Sequence, residues 1–308
     1  MRPSPCKSVE IDNQGVIFIS HRLLRDQSQA YRLSRSYLLE GIQTFIINVM
    51  ETKWRYICNK GQQNTNMFNR FSIFLILISS FALPSVSEEN ATRNLRDYYH
   101  SLEKGATNVI QTNNDRTAAI RELATQIVRI LEQNQRASLT FICTHNSRRS
   151  QIAQVMATAA AQKMKVPNMK FYSGGTEETA CNSRTVEALR RVGFPVVKLD
   201  QSSNPRYILQ TQSKNSSVKL FSKKYNHPAN PNKDFVAVMV CSDADENCPL
   251  VRGAISRVSL PYKDPKHSDN TDDEETVYDK KCYEIGVEQF ALLKLVSQSM
   301  AKLEQEIK

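Results

Sequence analysis

Residues 138–150 have the sequence SLTFICTHNSRRS. The first six form an apolar run that ends at Cys143 and is typical of a buried β-strand. The segment SQIAQVMATAAAQKM follows, and its period predicts a helix with Ile152, Val155 and Ala159 on one face. A buried strand, a polar loop and an amphipathic helix in succession form the repeating unit of α/β proteins.

The same alternation continues on both sides of this unit. Downstream, FVAVMVC and ISRVSLPY have the composition of strands, and TVEALRRVGF that of a helix. We therefore expect an α/β fold in residues 138–308, with a four-stranded, mostly parallel sheet flanked by helices. Residues 88–137 predict a helical extension that precedes it. RYILQTQ and VKLFSKKY predict a β-hairpin inserted near residues 205–225, with a role that the sequence leaves open.

The N-terminal part of the chain has a different character. Residues 1–66 show no sustained period, and we expect an irregular extension or an upstream artefact. In residues 67–87 an arginine, a short apolar run and small residues follow one another, as in a secretory signal peptide. The alternative is a buried or anchoring helix. The domain is expected to be exported in the first case and cytoplasmic in the second.

Composition argues against several classes of protein. The chain has 308 residues, a net charge of +10 and seven cysteines. Its basic residues form no helical stripe and no patch interleaved with aromatic residues, so we expect no nucleic-acid partner. An odd, sparse set of cysteines does not suit a disulfide scaffold, and no Cys/His spacing indicates a zinc site. We expect free thiols and no bound metal or cofactor.

The loop after Cys143 can carry chemistry. In α/β folds, ligands bind at the carboxyl ends of parallel strands, where loop amides and a helix N-terminus favour an oxyanion. A cysteine at the base of such a loop is a candidate nucleophile. Arg149, six residues on, can bind two oxygens of the anion, and Ser150 can donate a hydrogen bond to the thiolate. The plainer interpretation is a buried strand-end cysteine beside solvated arginines.

CTHNSRRS resembles the phosphate-binding loop of the low-molecular-weight tyrosine phosphatases and of the thioredoxin-coupled arsenate reductases that share their fold. That loop commonly has the sequence Cys-Thr-Gly-Asn-Ser-Cys-Arg-Ser. His145 replaces the glycine, and we expect it to tolerate the turn because histidine accepts positive φ better than most residues. Arg148 replaces a cysteine and is expected to face outward or to add positive field. The resemblance implies an oxyanion-binding set of Thr144, His145, Asn146, Ser147, Arg148 and Ser150.

MVCSDADENCP is similar to the redox segment of the arsenate reductases, in which two cysteines have the spacing of Cys241 and Cys248. The resemblance implies that Cys143 attacks arsenate, held by Arg149, while Asp264 in KDPKHS acts as general acid. Cys241 and then Cys248 complete a thiol relay, and a thioredoxin-like dithiol reductant restores it. If residues 241–248 form one helix, the two Cα atoms lie about 10.5 Å apart, too far for a disulfide. The segment must then be a loop or must unwind.

Three functions remain open on these grounds. The first is a thiol-coupled arsenate reductase. The second is a tyrosine-phosphatase-type phosphomonoesterase that needs only Cys143, Arg149 and Asp264, although Lys266 and His267 stand where such phosphatases commonly have an aromatic residue. The third is an inactive anion-binding or interaction protein. For the enzyme we expect a monomer that acts on arsenate or a phosphate ester. Export would conflict with a cytosolic reductant.

Overall fold

The computed structural model describes residues 9–11, 17–19, 86–134, 136–211, 217–248 and 250–306. The chain divides into two compact units, Met1–Val86 and Ser87–Lys308. In the first unit, β1 (Val9–Ile11) and β2 (Ile17–Ile19) pair antiparallel. The signal-like segment up to residue 85 lies outside the described residues, so the expectations for it stay predictions.

The second unit is built on a four-stranded sheet. Its strands are β3 (Ala137–Cys143), β4 (Met169–Gly175), β8 (Phe235–Met239) and β9 (Ala254–Ser259), in the order β4-β3-β8-β9. All three neighbouring pairs are parallel, which confirms the predicted sheet. The carboxyl ends of β3, β4 and β8 therefore meet at one edge, where the loop after β3 begins.

Six helices accompany the strands in the described part of this unit, and the two N-terminal ones confirm the predicted helical extension. None of the described helices is long and apolar enough to cross a membrane. Their bounds are α1 (Val86–Gln111), α2 (Asp115–Asn134), α3 (Arg149–Lys163), α4 (Ser183–Arg191), α5 (Ser242–Asn247) and α6 (Glu274–Glu306).

Helix α3 is covered on nearly all sides because it packs against β3, β4 and α6. Its alanine-rich sequence lets these neighbours approach from several directions at once. Helices α1 and α6 also pack closely against each other. A Cβ atom on Gly105 would lie 2.6 Å from Cγ2 of Val287, and one on Gly286 would lie 2.9 Å from Cδ2 of Leu102. The long closing helix is thereby fixed between α3 and the N-terminal extension.

A second, three-stranded antiparallel sheet contains the predicted hairpin. Its strands are β5 (Val196–Lys198), β6 (Tyr207–Gln210) and β7 (Ser217–Leu220). The chain after β7 then runs beside the end of β4. The amide of Gly175 donates to the carbonyl of Lys223 at 2.8 Å, and the amide of Tyr225 donates to the carbonyl of Gly175 at 2.9 Å. The inserted sheet is thus tied to the edge at which β3 ends.

Candidate active site

Cys143 ends β3 at that edge, and its side chain is 3% exposed. Its Sγ lies 3.1 Å from Oγ of Ser150, the second residue of α3. Nδ2 of Asn146 donates to the same Ser150 Oγ at 2.8 Å. Because that oxygen already accepts a hydrogen bond from Asn146, its own proton is free to point at the sulfur. The Ser150 hydroxyl is therefore placed to donate a hydrogen bond to the Cys143 sulfur.

The carbonyl oxygens of the loop face away from its centre. Those of residues 143–147 each accept a hydrogen bond from a group outside the loop. The donors are, in order, the amide of Thr176, the amide of Glu177, Oγ of Ser222, Nε2 of Gln151 and the amide of Asn182. Neighbouring segments therefore hold the backbone in one orientation, with its N–H groups on the opposite side.

The amides of residues 144–150 donate no hydrogen bond to any described residue. The last of them belong to the N-terminus of α3, where unpaired N–H groups carry the positive end of the helix. Gly175 permits this geometry. A Cβ atom there would lie 2.6 Å from the carbonyl oxygen of Thr144 and 2.9 Å from the amide nitrogen of Asn146. Together these groups form a cradle that suits a tetrahedral oxyanion above Cys143.

The turn of the loop falls at Asn146, not at His145. Asn146 has φ of 48°, whereas His145 is absent from the residues with positive φ. Our expectation that histidine must tolerate the turn was therefore misplaced. Asparagine accepts this conformation readily, and its Oδ1 accepts a hydrogen bond from the amide of Lys223 at 3.0 Å. His145 instead places Nε2 3.3 Å from a carboxylate oxygen of Glu177.

Arg149 turns its guanidinium toward the carboxyl ends of the strands. Nη1 donates to the carbonyl of Tyr262 at 3.0 Å, and Nη2 donates to Oδ2 of Asp264 at 2.6 Å. Its Nε is buried and has no hydrogen-bond partner among the described residues. A buried donor left unpaired costs free energy unless an acceptor arrives. An oxyanion in the cradle would supply that acceptor.

Arg148 is buried, contrary to the expectation that it faces outward. Nε donates to the hydroxyl of Tyr278 at 2.7 Å, and Nη2 donates to Oδ2 of Asp269 at 3.0 Å. The Tyr278 hydroxyl donates in turn to Oδ1 of Asp269 at 2.7 Å. Burial, and then the bond to Asp269, raise the pKa of Tyr278, which keeps this hydroxyl protonated. The network joins the loop to the start of α6.

Asp264 precedes a short 3₁₀ helix, Pro265–Ser268, and caps it by accepting from the amide of Lys266 at 3.0 Å. Its other carboxylate oxygen faces Arg149. Asp264 is therefore next to the loop, as a general acid must be, and the arginine that would hold an anion also orients it.

Residues 138–208 match the family model described as low molecular weight phosphotyrosine protein phosphatase. The chain is also 28% identical over 128 residues to arsenate reductase 2 of Staphylococcus epidermidis, covering 42% of this chain and 78% of that protein. Its identity to an arsenate reductase of Staphylococcus aureus is 29% over the same shares. The chain is therefore similar to the low-molecular-weight phosphatase and arsenate reductase family, which confirms the predicted resemblance.

Solved structures of this family align with about half of the chain. A low-molecular-weight protein tyrosine phosphatase from T. tengcongensis aligns over 53% of this chain and 99% of its own, with TM-score 0.35 and 13% identity. An arsenate reductase in the phosphate-binding state aligns over 56% and 99%, with TM-score 0.29 and 14% identity. The arsenate reductases that the chain resembles are enzymes, and the prediction of an enzyme is confirmed.

The two cysteines of the redox-like segment flank α5. Cys241 is fully buried, caps the helix by accepting from the amide of Ala244 at 3.4 Å, and places Sγ 3.5 Å from Oγ1 of Thr144. Cys248 ends the helix and donates to the carbonyl of Leu250 at 3.6 Å. Both thiols are free. The segment is helical, so of the two possibilities weighed above only unwinding leads to a disulfide.

Several residues of the site were missed or undervalued. Asp269 and Tyr278 were not predicted as site residues, because their role depends on where Arg148 points. Lys223 is buried beneath the loop, and burial lowers its pKa to about 8. Burial raises the pKa of Cys181 and of Cys282 to about 12, which suits inert thiols. Among the described residues, no cluster of three His, Cys, Asp or Glu side chains could hold a metal ion.

Proposed function

We propose that this protein reduces arsenate to arsenite through Cys143, Cys241 and Cys248. The observation that carries the proposal is the position of Cys241, whose sulfur lies 3.5 Å from the hydroxyl of the residue that follows Cys143. A phosphatase of the same loop needs no second thiol there. The similarity to arsenate reductases supports the same assignment.

In the first step, the Cys143 thiolate attacks arsenic while the loop amides and Arg149 hold the other oxygens. One As–O bond breaks, and Asp264 protonates the departing oxygen, which leaves as water. The product is a thioester of arsenate on Cys143. Arsenic remains pentavalent at this stage.

In the second step, the thiolate of Cys241 attacks the sulfur of Cys143. A Cys143–Cys241 disulfide forms, and the electron pair of the broken S–As bond passes to arsenic, which leaves as arsenite. The thiolate of Cys248 then attacks the sulfur of Cys241 and releases Cys143 as thiolate. Two electrons thus pass from two thiols to one arsenate, and a dithiol protein of the thioredoxin type must reduce the resulting Cys241–Cys248 disulfide.

The last exchange requires a change in α5. Residues 241 and 248 would lie about 10.5 Å apart if the whole segment were one regular helix, whereas bridged Cα atoms lie under about 7 Å apart. The helix is six residues long, and three of these residues are Asp or Glu. Short helices hold few hydrogen bonds, so its unwinding costs little. Whether the reductant is cytosolic or exported stays a prediction that depends on residues 67–87.

Hydrolysis of phosphate monoesters is the second candidate. The pairing of Asp264 with Arg149 at 2.6 Å supports it, since an acid held beside the anion-binding arginine can protonate the oxygen of a leaving alcohol. In this mechanism Cys143 forms a phosphocysteine that water hydrolyses. Neither Cys241 nor Cys248 takes part.

One experiment separates the two candidates. The full chain is reduced, freed of reductant and mixed with equimolar arsenate, and arsenite and disulfides are measured. We expect about one arsenite per chain and a Cys241–Cys248 bridge. Cys248→Ser should stop the protein after one turnover even when thioredoxin and its reductase are supplied, whereas Cys181→Ser, a control outside the relay, should turn over normally.

Absence of arsenite with every thiol free would refute the reductase. Hydrolysis of 4-nitrophenyl phosphate that survives in Cys248→Ser and disappears in Cys143→Ser would then establish the phosphatase. If Cys143→Ser changes neither activity, both enzyme functions are wrong, and the third possibility, an inactive anion-binding or interaction protein, remains.

A further inference from the structure

A cleft of about 560 Å³ opens beside the oxyanion loop. One wall consists of loop residues His145, Ser147 and Arg148, so the cleft is continuous with the site described above. The opposite wall comes from the inserted sheet, through Lys198 at the end of β5 and Tyr207 at the start of β6. Arsenate alone has no use for a cleft of this size, which suits a larger organic ligand.

The lining of the cleft is positively charged. Lys198 and Lys266 reach it from two different elements, and no aspartate or glutamate lines it. Lys266 forms no ion pair with a described residue, while Nζ of Lys198 donates only to Oε1 of Gln201, at 2.8 Å. The first residues of α4 also line the cleft, and the first turn of that helix holds no acidic residue.

Four carboxylates around the cleft are already engaged. Glu177 faces His145, and Asp200 accepts from the amide and the hydroxyl of Ser202. Asp264 and Asp269 face the two loop arginines. These carboxylates are therefore poor partners for the two lysines, which remain available to an anion.

Tyr207 adds a hydrogen-bond donor to this surface. The residue is 4% exposed, lines the cleft and makes no side-chain hydrogen bond with any residue that the structure describes. A tyrosine hydroxyl can donate one hydrogen bond to an acceptor. A ligand in the cleft that carries an acceptor would satisfy it.

We propose that the cleft is a second anion subsite, so that the loop and the cleft together bind a phosphate ester that carries a second anionic group. Lys198 and Lys266 neutralise the second group and Tyr207 donates to it. The inference rests on the proposed oxyanion function of the loop. It concerns binding only, and it holds both for an ester that is hydrolysed and for one that only competes with arsenate.

The test compares two ligands of equal size, 4-carboxyphenyl phosphate and its neutral amide, 4-carbamoylphenyl phosphate. Binding is measured by titration calorimetry on the full-length Cys143→Ser variant, which cannot hydrolyse them, with orthophosphate as reference. We expect the carboxylate to bind at least about threefold more tightly than the amide, as ion pairs with two exposed lysines allow.

Adding Lys198→Ala and Lys266→Ala should remove that preference and leave orthophosphate binding within about twofold. Lys170→Ala, which removes an exposed lysine near the start of β4 and away from the loop, should leave the preference intact. Equal affinity for the two esters in a protein that binds orthophosphate would refute the cleft subsite alone. If orthophosphate and both esters fail to bind, the loop is no anion site, and the proposed function fails with the subsite.

Discussion

At the scale of single residues, Asn146 fixes the shape of the oxyanion loop. It is fully buried, has φ of 48°, and its side chain joins Ser150 to the amide of Lys223. Both Asn146→Gly and Asn146→Ala remove those side-chain bonds, but only alanine is strained at positive φ. We therefore expect the free energy of unfolding, measured by urea titration, to be about 1 kcal/mol lower for Asn146→Ala than for Asn146→Gly.

His145→Gly is the matched control, because the related loops have glycine at this position. Since His145 does not have positive φ, glycine relieves no backbone strain at this position. It should lower stability slightly, because glycine raises the conformational entropy of the unfolded chain. A clear stabilisation by His145→Gly would show that the strain lies there after all, and equal stability of the two Asn146 variants would point the same way.

The site residues that the sequence could predict are those whose positions follow from the succession of neighbouring elements along the chain. Cys143, Arg149 and Ser150 follow from a strand, a loop and a helix start. Arg148 could not be placed in this way. Its burial depends on Tyr278 and Asp269, more than a hundred residues away, and no local pattern encodes that contact.

At the scale of elements, the relay depends on α5 being easy to unwind. Glu246 is exposed in the interior of this helix and forms no ion pair with a described residue. Glu246→Gly should weaken the helix by about 1 kcal/mol relative to Glu246→Ala. We expect the Cys241–Cys248 disulfide to form about fivefold faster in the glycine variant, measured by rapid acid quench and thiol labelling after arsenate addition.

Equal rates in the glycine and alanine variants would mean that unwinding does not limit the exchange.

The sequence alone allowed two structures for residues 241–248, a loop or a helix. The spacing of the cysteines gave the distance that a helix would impose, but SDADEN is polar enough for either a loop or a helix. The cap that Cys241 provides and the contacts of Asp245 with Arg257 and Ser259 select the helix.

The inserted sheet shows the same limit. The hairpin was predictable because its two strands alternate and are joined by a polar turn. Its third strand, β5, is only three residues long and follows a helix directly, so it left no periodic signal. The cleft beside the loop depends on this sheet. Tyr207 belongs to the predicted hairpin, whereas Lys198 belongs to β5, which the sequence did not predict.

At the scale of the whole molecule, a buried lysine links stability to pH. Lys223 is 3% exposed and forms no ion pair with a described residue; Nζ lies 3.4 Å from Oγ of Ser173 and 4.6 Å from the centre of the Phe221 ring. Burial lowers its pKa from 10.5 to about 8, while the neighbouring Cys181 acts weakly in the opposite direction. Between these two values the unfolded chain holds more protons than the folded one, so this group makes stability rise with pH.

Lys223→Met should therefore stabilise the protein by roughly 1–3 kcal/mol at pH 7, where the wild-type lysine is charged in both states. The gain should shrink as pH rises from about 8 toward 10, because the folded wild type then loses its buried charge. The high pKa of Cys181 opposes this trend above pH 9, but it does so in both proteins. Urea unfolding at pH 7, 8, 9 and 9.5 measures the difference, with Lys170→Met as the exposed control. A difference that stays constant across this range, or a Lys170→Met variant that behaves in the same way, would show that burial of Lys223 does not limit the stability of the fold.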